Sequence, residues 1–372
     1  TLSLPASSMG TLSTAKVGTL ILTGTALPEA PITKLTCSEL SFSEDLLAAI
    51  QLSVTASGTV CKLATSYTEE TLPTCTLPAG FTLEKSTAGE LSLVYTAPAS
   101  SPAALYAKVP EGTTSWLGLT WCSNAECTEP VTPLWSSVSS VTLTAEGAAT
   151  LTFPGALSGL KSLTVAASDH TLTLSGGTLP ALTTLILNGD LTLEGAVLSS
   201  VPSELSGSGS LTFRSGGSVI SANAGGNTAY AYDAFTGRWV VETGTTLLLN
   251  GGGGKKGQLN WNSAVDGSGQ IEVRTGGTVK LNAGYTFGWA ETASQFSRTV
   301  LVADGGAVEV SNASSEHYHR RTFELKNGAT FCDTTGTFMF SRGGRVKVTE
   351  GIVTILAGNG PAFACDNNGI TS

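Results

Sequence analysis

Two of the chain's three histidines stand in one run, Ser315-Glu316-His317-Tyr318-His319-Arg320-Arg321. In an extended backbone His317 and His319 share a face, and Glu316 takes the other. Such a pair can ligate a metal, and a histidine beside Arg320 can serve as base and charge stabiliser in a lyase. A metal would need a third ligand, and beyond Glu316 none lies nearby in sequence. The plainer reading is a polar loop leading into a strand at 322–325. We therefore assign no catalytic residue, no metal and no cofactor. Glu316, His317, His319 and Arg320 remain the residues an enzyme would use.

Carboxylates are the other acid–base resource, as in glycosidase pairs. Asp233, Glu242, Asp266, Glu272 and Glu291 are the candidates. Glu242 and Arg274 each stand two residues before a turn glycine, Gly244 and Gly276. Equal positions stack on a repeating coil, so these two are expected to pair between coils, which is a structural role. Glu272, Arg274 and Lys280 read as solvated flank. Aromatic residues also crowd the middle of the chain. Exposed rings bind sugars, which makes Tyr230, Tyr232, Trp239, Trp261 and Trp289 candidate glycan contacts; the same rings could instead pack loops onto the core. The run GGGGKKG at 251–257 lacks P-loop spacing and reads as a loop. Asn312-Ala313-Ser314 matches a glycosylation acceptor.

The seven cysteines contain no CxxC and fit no zinc spacing. Cys122 and Cys127 are close enough to bridge a short loop, Cys61 and Cys75 to close a hairpin, and Cys332 and Cys365 to stack on adjacent coils. Sequence does not fix connectivity, so these pairings are expectations. Disulfides would place the protein in an oxidising, extracytoplasmic setting.

These residues must be positioned by strands. In 271–281, Ile271, Val273, Val279 and Leu281 alternate with polar residues on either side of Gly276-Gly277, a period of two around a turn. The shape recurs at 211–221, 239–249, 300–310, 323–333 and 338–348, with turn glycines Gly216, Gly244, Gly276, Gly305, Gly328 and Gly343. The first four spacings suit one coil of a solenoid; the last, 15 residues (343 − 328), suits half a coil or a lost strand. Upstream, short triplets such as Leu172-Thr173-Leu174 and Leu191-Thr192-Leu193 follow one another without helical periodicity. The expected class is all-β: a right-handed parallel β-helix over 135–372, with an antiparallel sandwich as the main rival. Residues 1–36 read as strands, possibly a first coil. Residues 37–134 form a cysteine-bearing β-rich module. Within it, 44–50 reads as a short helix capped by Ser43. Strands are expected at 51–55, 59–64, 81–84, 90–95, 104–109 and 115–121, with a hairpin turn at 86–89.

Only 13% of residues are charged and the net charge is −9, which argues against nucleic acid or an anionic membrane as partner. No apolar run reaches the length of a membrane span, so no membrane insertion is expected. The 41% hydrophobic content argues against disorder.

The segments LTLSGGTL (172–179), LILNGDLTLEGA (185–196) and VRTGGTVKLNAG (273–284) resemble the passenger repeats of autotransporter-like surface proteins. Those are secreted right-handed parallel β-helices related in architecture to pectate lyases. The resemblance spans about 136–356. It implies surface display, adhesion or a structural role, and it carries over no catalytic residue.

The expected function is therefore a non-enzymatic secreted or cell-surface scaffold or adhesin. Its expected partners are other copies of itself or cell-surface glycans. A β-helical polysaccharide lyase or glycosidase, and a glycan-binding module, are the alternatives. No amphipathic capping helix is legible at either end, so open strand edges would join copies head to tail into a filament, or the chain is part of a longer one.

Overall fold

The computed structural model describes residues 1–98, 102–155, 157–198, 200, 202–221, 229–231, 234–242, 244–250, 258–260, 271–274, 276–282, 286–287, 299–310, 317–319, 322–333, 338–340, 345–357 and 364–365. The chain is mostly β, and parallel pairing dominates. It divides into two compact units. One comprises Thr1–Leu105, Thr120–Ser139 and Ala156–Gly159; the other comprises Tyr106–Leu119, Ser140–Gly155 and Leu160–Ser372.

The larger unit is built on a nine-stranded parallel sheet, hereafter the long sheet. Its strands are Ala149–Thr152, Leu172–Ser175, Leu191–Glu194, Leu211–Arg214, Trp239–Val241, Ile271–Val273, Thr299–Val302, Thr322–Lys326 and Arg345–Glu350. Each strand pairs with its counterpart one pass later, and strands of other sheets intervene in sequence. A six-stranded sheet collects Gly217–Ser221, Thr246–Asn250, Thr278–Asn282, Ala307–Val310, Thr330–Asp333 and Thr354–Ala357. A five-stranded sheet collects Ala104–Val109, Ser140–Ala145, Ser162–Val165, Thr184–Leu187 and Glu204–Ser206.

Alternation decides which side chains meet. Down the long sheet one inward column runs Ala149, Leu172, Leu191, Leu211, Trp239, Ile271, Val300, Phe323. Another runs Leu151, Leu174, Leu193, Phe213, Val241, Val273, Val302, Leu325. All of these are buried. Each large aliphatic side chain so enclosed contributes about 1.5–3 kcal/mol of transfer free energy. Trp239 and Phe213 meet edge to face with centroids 5.8 Å apart.

The expected turn at 276–277 is present. Gly276 has φ +73°, a left-handed conformation that a Cβ would strain. At Gly277 a Cβ would collide with the carbonyl of Val241 on the preceding pass. One expectation fails: Phe338–Phe340 is not the first arm of a rung turning at Gly343. It pairs with His317–His319 in a separate three-stranded sheet. The next long-sheet strand is Arg345–Glu350, and its left-handed corner is Gly351, 23 residues after Gly328 (351 − 328). No half coil is needed, because Val346 and Val348 pair with Phe323 and Leu325 five and three residues before Gly351 (351 − 346, 351 − 348), although Val348 is half exposed and the register shifts after Leu325.

In the smaller unit parallel pairing begins at once. Leu2–Pro5, Thr19–Thr23 and Glu39–Phe42 form one sheet. Thr14–Lys16, Ile32–Thr36 and Gly58–Tyr67 pair in another. The pattern passes through Cys37 without a break. Gly58–Tyr67 then pairs antiparallel with Leu91–Tyr95, which forms the expected hairpin with Phe81–Lys85.

The expected helix spans Glu44–Ser53, and Ser43 accepts from the Leu46 amide at 3.4 Å. Glu44 and Asp45 in its first turn suit the helix dipole. The helix takes up most of the strand expected at 51–55, because its buried Leu46 and Ile50, four apart, hold it to the core. No strand forms over 115–121 either. Ser115 Oγ accepts from the Gly118 amide at 3.2 Å and bends the segment.

The Cys122–Cys127 bridge is formed, with Cα atoms 5.1 Å apart. The expected Cys61–Cys75 bridge is not: both thiols are free. Cys61 lies on Gly58–Tyr67 opposite Leu93, whereas Cys75 follows Thr74, which pairs with Glu39 on the other sheet. The two cysteines therefore belong to different walls. Cys365 has no described side chain, so the expected Cys332–Cys365 pairing lies outside the described residues.

Replacing Trp239 with Ala is expected to cost about 3–5 kcal/mol, read as a lowered urea midpoint of the larger unit. The smaller unit should be sensitive to alkali. Burial pushes the Cys37, Cys61 and Cys75 thiols from 9.0 up to about 11, with Glu69 adding to the effect at Cys37 and Cys37 adding to it at Cys75. The folded chain then holds protons that the unfolded chain releases above pH 9.0. Stability should be unaffected by these groups below that pH and should fall as pH rises toward about 11. Thermal melts across this window check the sign, and substitution of all three cysteines by Ala should flatten the slope.

Candidate functional site

On the solvent side of the long sheet the same register stacks polar side chains. The central column begins with four threonines, Thr150, Thr173, Thr192 and Thr212, and continues with Val240, Glu272, Leu301 and Glu324. Parallel strands lie about 4.8 Å apart, so the hydroxyls repeat at that interval. A groove of about 380 Å³ lies over the threonine portion. Thr171 and Ser210 line one flank, and Arg214 and Glu242 close the other end. Within this groove Thr173 and Thr192 are only 8% and 6% exposed.

The neighbouring column alternates in charge: Glu194, Arg214, Glu242, Arg274. Glu194 faces Arg214 directly in register. The amides of Glu242 and Arg274 donate to Phe213 and Val241 one pass earlier, which continues the column. Arg214 lies 3.5 Å from Glu194, and Arg274 lies 3.5 Å from Glu242. The Glu242–Arg274 pair expected from their equal places before turn glycines is thus made.

Glu272 was expected in the solvated flank and is instead buried, at 7% exposure. Arg238 Nη1 donates to its Oε1 at 2.8 Å, and Arg274 Nη1 lies 3.7 Å from Oε2. Two guanidiniums thereby replace the water that burial removes from this carboxylate. Lys280 pairs with Glu309 at 2.7 Å across the six-stranded sheet, directly in register.

His317 and His319 fall in the strand His317–His319, two apart as the extended reading requires, opposite Phe338 and Phe340. Residues 317–319 are thus a paired strand where a loop was expected. Glu316 and Arg320 lie outside the described residues, as do Tyr232, Trp261 and Trp289. Tyr230 lies in Ala229–Ala231, paired with Leu259. Trp239 is 0% exposed in the inward column between Leu211 and Ile271, so it cannot contact a glycan. Its neighbours Val240 and Val241 are also buried, and this uniformly apolar strand gave no alternation from which its facing could be read. Among the described residues no three His, Cys, Asp or Glu side chains gather as a metal site. Among them, too, no helix is long and apolar enough to cross a membrane.

Sequence reasoning found the ion pair but missed the groove. The signal was available: threonine recurs as the middle residue of apolar–Thr–apolar triplets, and equal places in the triplet become neighbours on the sheet. Comparison with protein-family models, curated proteins and solved structures gives no match for this chain.

Replacing Arg238 with Ala should cost about 1–3 kcal/mol, because it strips the short hydrogen bond from a buried carboxylate. Adding Glu272→Gln should recover much of that loss by removing the charge. A double-mutant cycle in urea measures the coupling, and additive losses would contradict it.

Proposed function

We propose that the chain is a secreted, non-enzymatic surface protein, a scaffold or adhesin built as a right-handed parallel β-helix. Parallel strands joined by crossovers through other strands favour the right hand strongly, since the twist of the strands packs the connection back onto the sheet only that way. The resemblance of the repeats to autotransporter passengers and the Cys122–Cys127 bridge agree with an extracytoplasmic setting.

The observation that carries the non-enzymatic reading is the alternating column Glu194, Arg214, Glu242, Arg274. A glycosidase needs one carboxylate to donate a proton and another to act as base or nucleophile, held at a set separation across the bond that breaks. Here an arginine stands between one glutamate and the next. Glu194 and Glu242 each have a guanidinium within 3.5 Å, and Glu272 has one at 2.8 Å. Such pairing occupies the carboxylates with partners from neighbouring passes, which suits cohesion better than proton transfer.

The test is a panel of neutral and acidic polysaccharides assayed for new reducing ends and for unsaturated products. No turnover is expected from the wild-type chain. Release of either product, abolished by His317→Ala or Glu242→Gln, would overturn the reading in favour of a lyase or glycosidase.

A further inference from the structure

We propose that Asn327, at the corner between Thr322–Lys326 and Thr330–Asp333, is a site of spontaneous deamidation whose product loosens the pass carrying Arg345–Glu350 and Thr354–Ala357. The proposal stands apart from the question of whether the chain is an enzyme.

The chain holds five Asn-Gly pairs, at 188, 250, 327, 359 and 368. In such a pair the glycine nitrogen can attack the asparagine side-chain amide, because the glycine has no side chain to block the approach. Asn188-Gly189 and Asn327-Gly328 lie wholly within the described residues, and both asparagines are exposed. The two attacking nitrogens are held differently.

Gly189 is buried, and its amide donates to the Val165 carbonyl at 3.2 Å. A Cβ there would collide with the carbonyl of Ala166, so the backbone has no room to rotate. The next pass closes over it as well, since the Gly209 amide donates to the Leu187 carbonyl at 2.7 Å. Gly328 is exposed. Its amide donates to the Ile352 carbonyl at 2.7 Å, and the Asn327 amide donates to the Glu350 carbonyl at 3.0 Å. Glu350, Gly351 and Ile352 are all exposed, Ile352 at 86%. Local opening costs least where few apolar contacts break with it, so these bonds release before those around Gly189.

Once the Gly328 amide leaves Ile352, rotation of the peptide brings its nitrogen to Asn327 Cγ. The nitrogen gives its proton to hydroxide as the new N–Cγ bond forms. The Cγ–Nδ2 bond breaks, and the side-chain nitrogen takes a proton from water and leaves as ammonia. The cyclic imide then takes up one water and opens at either carbonyl, giving aspartate or isoaspartate.

Either product puts a carboxylate where a neutral amide stood. The Gly305 amide donates to the Asn327 carbonyl, and the Asn327 amide to Glu350, so the corner stacks Asp304-Gly305, Asn327-Gly328 and Glu350-Gly351 on successive passes. Three acidic residues then follow one another at about the 4.8 Å strand spacing and repel. The Asn327 side-chain oxygen also lies over Gly351, where a Cβ would meet it at 2.6 Å. Isoaspartate further lengthens the main chain by one methylene and breaks the ladder that runs from Glu350 through Asn327 to Gly305.

The test is incubation of the whole chain in warm, mildly alkaline buffer, followed by peptide mapping in a mass spectrometer. In the folded chain Asn327 should convert at least about tenfold faster than Asn188. In urea the two should convert at similar rates, because the sequence chemistry is then all that remains. Asn327→Gly accepts the same positive φ, observed at +48°, and should abolish conversion at this corner. Asn327→Asp supplies one product directly. Hydrogen exchange of amides in 345–357 should be faster in that variant than in wild type or Asn327→Gly, while exchange in 172–193 stays the same. Conversion of Asn188 in the folded chain as fast as that of Asn327, or no conversion of Asn327 there, would overturn the site. Exchange in 345–357 unmoved by Asn327→Asp would overturn the loosening.

Discussion

Strict parallel register between successive passes is the constraint on which the rest depends. Once Leu172 lies beside Leu191 and Leu191 beside Leu211, every position in the strand inherits a column. Inward columns fill with aliphatic and aromatic side chains, and outward columns with hydroxyls or charges. A shift of one residue would exchange the two faces, sending Thr173 and Thr192 into the core and Leu174 and Leu193 into solvent. The cost would be paid at every pass, so the core and the polar face are specified together.

Like residues stack well where they are apolar or hydroxylated, but like charges at the strand spacing repel. This difference explains the composition of the outward columns. Threonine can follow threonine through four passes because a hydroxyl tolerates a hydroxyl. Glutamate cannot follow glutamate cheaply, and the charged column alternates Glu194, Arg214, Glu242, Arg274. Exposed pairs of this kind are individually weak. Glu272 is the exception, because burial would make its charge costly without Arg238 and Arg274.

Much of this was legible in the sequence because it is periodic. The strands on both sides of Gly276-Gly277 form where alternation places them, and the Glu242–Arg274 pair follows from equal places before a turn. Ser43 announces the helix by its cap. The failures have local causes. Gly343 resembles a corner only because Phe338–Phe340 supplies an apolar triplet of its own, whereas Gly351 is the left-handed corner that follows Arg345–Glu350, after a register shift opposite Leu325 and Lys326. Trp239 suggested a sugar platform by residue type, and its inward facing is a property of register with Leu211 and Ile271. The Cys61–Cys75 bridge required two segments 14 residues apart to share a wall (75 − 61), and the pairings of Gly58–Tyr67 and Thr74 separate them.

The groove was hidden for a related reason. A threonine between two leucines is an unremarkable strand residue, and nothing within one triplet marks it as more than solvent-facing. Its environment is created by the triplets above and below, which cover its flanks and lower the residue's exposure. Thr150, at the start of the column, is exposed, while Thr173 and Thr192 within it are not. The change in environment along four chemically identical positions is therefore a product of stacking alone. A site of this kind needs no unusual residue, only a common one repeated in register, and so a search for rare or reactive side chains passes over it.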